Sequence, residues 1–111
     1  KTLIYPMDKP NANYLRRYRR KKLLQEIREE LEQYDVRSAY AHTHFVLAEE
    51  KRPKNITIYV EFATPSDKTL ANRADMSMDS KFKRKKINII DIASLQPAIR
   101  DFVFGDLTRL F

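Results

Sequence analysis

Apolar residues recur with a helical period in the first third of the chain. The segment 14–34 contains neither proline nor glycine and is rich in Arg, Lys, Leu, Glu and Gln, which are good helix formers. Its apolar positions are three or four residues apart and form one stripe: Leu24, Ile27, Leu31 and Tyr34, extended towards the N-terminus by Leu15 and Tyr18. We therefore predict an amphipathic helix over 14–34. Residues 1–13 contain two prolines and two asparagines and are predicted to form an extended arm.

A second period, of two residues, marks the clearest strand in the chain. Apolar residues at 56, 58, 60 and 62 alternate with Thr57, Tyr59 and Glu61. Segment 87–92, rich in β-branched residues, and the shorter segment 36–42 are also predicted to be strands. We expect 56–62 to be a central strand of the sheet, with 87–92 beside it.

Helical patterns separate and follow these predicted strands. We expect a helical turn within 44–50, a helix over 69–82, and a last helix that begins near Pro97. The apolar face of that last helix is assigned to Ile99, Phe102, Val103, Leu107, Leu110 and Phe111. Strands that alternate with helices predict an α+β fold, with helices packed on a small mixed sheet of about three or more strands.

Length and composition narrow the class of protein further. A chain of 111 residues is expected to form one domain, which we place at 23–111, after an arm and basic helix start at 1–22. The chain has no cysteine, which excludes disulfides and Cys-based zinc sites and fits a cytoplasmic protein. No apolar run approaches the roughly 20 residues of a membrane span, so no membrane partner is expected.

The net charge of +7 is concentrated in two short runs. Segments 16–22 and 81–86 hold six and five basic residues and no acidic one, and the rest of the chain has a net charge of −4. Such local basicity indicates contact with a polyanion or an acidic partner, or simply two solvated faces. The candidate anion-binding residues are Arg16, Arg17, Arg19, Arg20, Lys21, Lys22, Lys54, Lys81, Lys83, Arg84, Lys85 and Lys86.

The first basic run lies at the start of a predicted helix, where the helix dipole favours negative charge. Helix stability therefore does not explain it, and a binding role is favoured. Tyr14 and Tyr18 interleave with the arginines and could stack on the bases of single-stranded nucleic acid. The alternative, which we prefer, is that both tyrosines join the apolar stripe of the helix.

The order and spacing of these elements resemble a known family. The segment 34–40 followed by 56–62, which contains Val60-Glu61-Phe62, resembles the small nucleotidyltransferases of toxin–antitoxin modules. Segments 86–90 and 94–101 look like the third strand and closing helix of that family. The resemblance covers roughly 23–111 and implies a nucleotidyltransferase-like fold.

The resemblance also shows what this chain lacks. The family's Gly-Ser pair would fall on Thr43 and His44, its Asp-x-Asp pair on Asn55 and Thr57, and its third aspartate on Asn88. In the family these three carboxylates hold two magnesium ions around a triphosphate, and magnesium prefers anionic oxygen ligands.

Because residues of equal parity share a strand face, we expect these three positions to converge on one side of the sheet. Asn, Thr and Asn are neutral, and the basic residues Arg52, Lys54 and Lys86 are close to them in sequence. We therefore expect no catalytic residue at these degenerate positions, no cofactor and no bound metal.

Two further sets of residues are candidate sites. His42 and His44, with Glu49 or Glu50, suggest a metal site, but no third ligand is compelling and we do not predict one. Glu61, Asp91 or another acidic residue would have to replace the missing aspartates if the protein were a nucleotidyltransferase with an atypical active site.

Three functional hypotheses follow. The first is a non-catalytic nucleotidyltransferase-like binding domain, antitoxin-like or regulatory, whose partner is another protein, a second copy of itself or a nucleic acid. The second is the atypical enzyme. The third is a nucleic-acid-binding module that uses the two basic runs on an unrelated fold.

Overall fold

The computed structural model describes residues 12–49, 53–64 and 68–111. The predicted arm therefore lies almost wholly outside the described residues, as do Glu50 and Arg52. The helices are α1 Ala12–Leu31, α2 Thr43–Val46, α3 Lys68–Lys81 and α4 Pro97–Phe104. The strands are β1 Val36–His42, β2 Asn55–Phe62, β3 Lys86–Asp91 and β4 Leu107–Arg109. Short 3-10 turns follow α1 at Glu32–Tyr34 and β3 at Ile92–Ser94.

The four strands form one mixed sheet in the order β3-β2-β1-β4. β1 is antiparallel to both β2 and β4, whereas β2 and β3 are parallel and are joined through α3. This confirms the predicted α+β class, and it confirms that 56–62 is an interior strand with 87–92 beside it.

The core lies between one face of the sheet and helices α1 and α3. Alternate residues of β2 point into it, and Ile58 and Val60 are fully buried. α1 contributes Ile27 and Leu31, which are also fully buried, and α3 contributes Ala74 and Met78. The periodic patterns that predicted these elements therefore also predicted the faces that they bury.

The predicted stripe of α1 is wrong in its first half. Leu15 and Tyr18 are exposed, by 37% and 59%, and so is Tyr14. Tyr18 precedes Ile27 by nine residues, which is two and a half turns at about 3.6 residues per turn, so it lies on the opposite side of the helix. The preferred interpretation of the two tyrosines, as part of the apolar stripe, is thereby contradicted.

The last predicted helix is shorter than its apolar positions suggested. α4 ends at Phe104, and the chain then turns at Gly105 into β4. Leu107 belongs to a strand rather than to the helix, and Leu110 and Phe111 pack against the core. The pairing of this C-terminal segment with β1 continues past Arg109, because the Leu110 amide donates a hydrogen bond to the Ala39 carbonyl at 2.7 Å.

Candidate functional site

The face of the sheet opposite α1 and α3 carries the three positions that were predicted to replace the family's aspartates. Thr57 on β2 pairs in register with Asn88 on β3, and Asn55 pairs with Lys86 two residues earlier. Paired residues of neighbouring strands share a face, as do residues two apart on one strand. Asn55, Thr57 and Asn88 therefore converge on one face, as predicted from their parity.

A row of side chains crosses the sheet at this level. His42 is the last residue of β1 and pairs with Leu107 on β4. Ala41 pairs with Ile58 on β2. Because the two strands are antiparallel, His42, the next residue on β1, lies opposite Thr57. The row runs Leu107, His42, Thr57, Asn88 and holds no carboxylate.

Aromatic side chains lie on this same face, next to the row that contains His42 and Thr57. The His42 and Tyr59 rings meet edge to face, with 5.6 Å between centroids. Tyr40 makes an edge-to-face contact with Phe104 of α4 at 5.3 Å. α4 thus contacts the same side of the sheet that carries the degenerate positions.

Thr43, one of the two positions predicted to replace the family's Gly-Ser pair, begins α2 directly after this row. Its backbone amide donates to the Asp106 carbonyl at 3.0 Å. Its hydroxyl lies 2.8 Å from the Thr108 hydroxyl. Backbone amides in a turn can bind an anion such as phosphate, but the amide of Thr43 is already bonded to the segment that leads into β4.

His42 and His44 stack on each other at this corner, with ring centroids 5.6 Å apart. The His42 Nδ1 atom lies 3.5 Å from an Asp106 carboxylate oxygen, an ion-pair distance if the ring is protonated. The geometry is not that of a hydrogen bond, and Nδ1 is buried without one. Among the described residues no cluster of three or more His, Asp or Glu side chains is arranged to hold a metal ion.

Two of the acids near the sheet, Glu61 and Asp91, lie at its other end. Glu61 is four residues beyond Thr57, about 13 Å along a strand, and accepts a hydrogen bond from the Ser38 hydroxyl at 3.2 Å. Asp91 accepts from the Ala93 amide at 3.0 Å and so caps the turn after β3. Both line a cleft of about 230 Å³ that also contains Arg37. Neither carboxylate reaches the level of Thr57 and Asn88.

Arg20 differs from the other candidate anion-binding residues. It is only 6% exposed, donates a hydrogen bond to the Phe45 carbonyl, and places its guanidinium 4.1 Å from the centroid of the Phe45 ring. The sequence missed this role, although Arg20 precedes Ile27 by seven residues, about two turns, and so faces the core. Arg20 stabilises the contact between α1 and α2.

Several lysines of the second run also have protein partners. The Lys86 amine lies 2.9 Å from one Asp79 oxygen and 3.9 Å from an Asp75 oxygen. The hydrogen bond to Asp79 is the main cause that raises the pKa of Lys86 above its ordinary value. Lys81 is 3.6 Å from a Glu30 oxygen, and Lys85 donates to the Pro53 carbonyl at 3.5 Å.

The other cations of the predicted set, with the exception of Arg16, are exposed to solvent. Arg16 is half-buried, and the exposed members are Arg17, Arg19, Lys21, Lys22, Lys54, Lys83 and Arg84. No described helix is long and apolar enough to cross a bilayer.

Solved structures of toxin–antitoxin pairs share this fold. A toxin–antitoxin structure with AMP-PNP superposes with a TM-score of 0.65 and 16% identity, over 79% of this chain and 72% of the other. A complex of tri-AMPylated HEPN toxin with MNT antitoxin from Shewanella oneidensis gives a TM-score of 0.64 and 14% identity, over 83% and 71% of the two chains. The MntA–HepT toxin–antitoxin gives a TM-score of 0.60 and 14% identity, over 79% and 68%.

These likenesses establish the fold, which is that of the minimal nucleotidyltransferases. No protein-family model matches the sequence, and no curated protein matches it significantly.

Proposed function

We propose that this chain is a non-catalytic nucleotidyltransferase-like domain that acts by binding another protein, as an antitoxin-like or regulatory partner. The observation that carries the proposal is the in-register pair Thr57 and Asn88, with Asn55 on the same face. All three positions are neutral where metal-dependent phosphoryl transfer needs carboxylates. The amide of Thr43, bonded to Asp106, supports the same conclusion.

The exposed apolar side of α4 favours a protein as the partner. Phe102 is 85% exposed and Ile99 47% exposed, and they lie three residues apart on one side of the helix. Apolar side chains grouped in this way on a surface are typical of protein–protein contacts. A HEPN-type toxin is the first candidate, because such a toxin is bound to the MNT antitoxin in one of the structures with this fold.

The loss of catalysis is tested by restoring the carboxylates. We expect the wild-type protein to transfer no labelled nucleotide from ATP to protein or RNA with Mg²⁺ or Mn²⁺. The triple variant Asn55→Asp/Thr57→Asp/Asn88→Asp should gain at least about tenfold in Mn²⁺ affinity, measured by electron paramagnetic resonance, because three hard anionic ligands now converge.

The matched control adds the same charge at exposed neutral positions elsewhere, as Gln33→Glu/Asn72→Asp/Ser80→Asp. Metal-dependent nucleotide transfer by the wild type that disappears in Thr57→Ala would overturn the non-catalytic assignment. It would favour the alternative of an atypical active site.

The protein partner is tested with the product of the gene adjacent to that of this chain. If that product is a helical ribonuclease-like protein, co-expression should yield a complex that elutes as one species in size-exclusion chromatography. Ile99→Ser/Phe102→Ser should dissociate it, because it removes the exposed apolar side of α4. Met76→Ser is the control, since Met76 is 71% exposed but lies on α3. A complex that the α4 variant does not weaken would exclude α4 as the docking element.

A further inference from the structure

The first half of α1 forms a separate exposed surface, defined by residues 14–22. Apart from the buried Arg20 and the half-buried Arg16, its side chains reach the solvent. Tyr14 and Tyr18 are 58% and 59% exposed, and they lie about one helical turn apart. We call this surface the tyrosine–arginine end of α1.

The two tyrosines lie on the side of α1 opposite the core, with cations beside them. Arg17 follows Tyr14 by three residues, and Lys21 and Lys22 follow Tyr18 by three and four residues. Residues at these separations are neighbours on a helix surface. Each exposed ring is therefore flanked by positive charge on the same side of the helix.

This arrangement does not serve the stability of the helix. Arg17 and Lys21 are four residues apart, a spacing at which like charges repel. The segment 14–25 contains no acidic residue, and cations in the first turns of a helix are opposed by its dipole. An anion that binds to these cations reduces both the repulsion between them and their unfavourable interaction with the helix dipole.

We propose that the tyrosine–arginine end of α1 binds single-stranded nucleic acid. Arg17, Arg19, Lys21 and Lys22 contact the phosphates, and Tyr14 and Tyr18 stack on successive bases. A single strand is favoured over a duplex because only unpaired bases offer their faces to exposed rings. A surface that bound any polyanion by charge alone would gain nothing from the two tyrosines.

This proposal is independent of the proposed protein partner, because the tyrosine–arginine end and the apolar side of α4 are different surfaces. The test is fluorescence anisotropy of the whole chain with labelled 12-nucleotide oligo-U and oligo-dT, and with a duplex of the same length, at 50 and 200 mM NaCl. We expect micromolar binding of the single strands at low salt, with an affinity that falls steeply as salt rises.

Two variants separate stacking from charge. Tyr14→Ala/Tyr18→Ala should weaken binding about tenfold or more with little change in the salt dependence, because stacking does not release counterions. Tyr14→Phe/Tyr18→Phe should restore it, since the ring is kept. Arg17→Ala/Arg19→Ala/Lys21→Ala/Lys22→Ala should weaken binding and flatten the salt slope by up to about 0.7 for each phosphate that is no longer neutralised.

The control is Lys83→Ala/Arg84→Ala, which removes two exposed cations of the second run. Circular dichroism confirms that each variant is folded, and Arg20 is retained in all of them. The proposal is overturned if no single strand binds better than about 100 μM at low salt, or if heparin and acidic vesicles bind while oligonucleotides do not. It also fails if the Tyr→Ala variant binds like the wild type, or if the duplex binds as tightly as the single strands.

Discussion

At the scale of the residue, Arg20 shows how a charge within a basic run can belong to the core. Its guanidinium donates to the Phe45 carbonyl and stacks on the Phe45 ring, and its side chain is almost fully buried. We predict that Arg20→Ala lowers the free energy of unfolding by about 2–3 kcal/mol, because it removes a charge-assisted hydrogen bond and a desolvated cation–π contact. Urea denaturation followed by circular dichroism measures the change.

Arg19→Ala is the control, because Arg19 is adjacent, exposed and of the same charge. It should change the free energy of unfolding by no more than about 0.5 kcal/mol. Equal effects of the two substitutions would show that Arg20 is not a structural residue.

The alternation of residues along the strands correctly predicted which residues share the candidate site. The sequence did not predict the structural role of Arg20 within the basic run. Asn55, Thr57 and Asn88 share a face because strand periodicity is fixed at two residues, so a correct strand assignment also places its side chains. Arg20 was missed because charged residues are rarely buried unless paired. Its partner, Phe45, is 25 residues away, and no local pattern indicates that contact.

At the scale of the element, β3 is an edge strand whose outer backbone is partly covered by α3. The Asp75 carboxylate accepts a hydrogen bond from the Ile89 amide at 3.0 Å. An unpaired amide on a sheet edge is a template for pairing with another chain. We predict that Asp75→Ala lowers the free energy of unfolding by about 1–2 kcal/mol and increases aggregation on heating, measured by light scattering.

Asp79→Ala provides the comparison for that variant. Asp79 pairs with the exposed amine of Lys86 and contacts no backbone amide among the described residues. An exposed ion pair contributes little, so its loss should cost no more than about 0.5 kcal/mol. If both variants aggregate alike, the protection of the β3 edge does not depend on the Asp75 hydrogen bond.

The regularity of the apolar pattern in each element explains which elements could be predicted from the sequence. β2 and the second half of α1 were predicted because burial imposes a strict period on each of them. β4 was missed because only three residues form it, and apolar residues at 107 and 110 also fit a helix. Gly105, the only glycine in the chain, was the available signal that the last helix ends.

At the scale of the whole molecule, the surfaces proposed for binding are separate from the core that stabilises the fold. We predict that Phe102→Ser changes the free energy of unfolding by no more than about 0.5 kcal/mol, because the ring is mostly exposed. Phe45→Ala, which removes a ring that is 4% exposed, should cost about 3–5 kcal/mol. Thermal and urea denaturation of the two variants would measure the difference.

A large destabilisation by Phe102→Ser would show that α4 is part of the core, and the proposed docking surface would have to be abandoned. The α+β class, the interior position of β2 and the converging neutral positions were all predicted from sequence at this scale. The exposed side of α4 was not, because amphipathic periodicity indicates that a helix has an apolar side without showing what covers it.

The pairing of β4 with β1 has a consequence for how the protein is made. β1 is translated early, yet its outer neighbour consists of residues 107–109, which leave the ribosome roughly 3 to 13 seconds later at ordinary rates of synthesis. During that interval the nascent chain can pair β1 with β2, while the other edge of β1 keeps unpaired backbone groups that can bind a strand of another chain. A nascent chain that has emerged from the ribosome as far as α4 but not β4 would therefore present β1 as an unprotected sheet edge, and a chaperone that shields β1 would act in that interval.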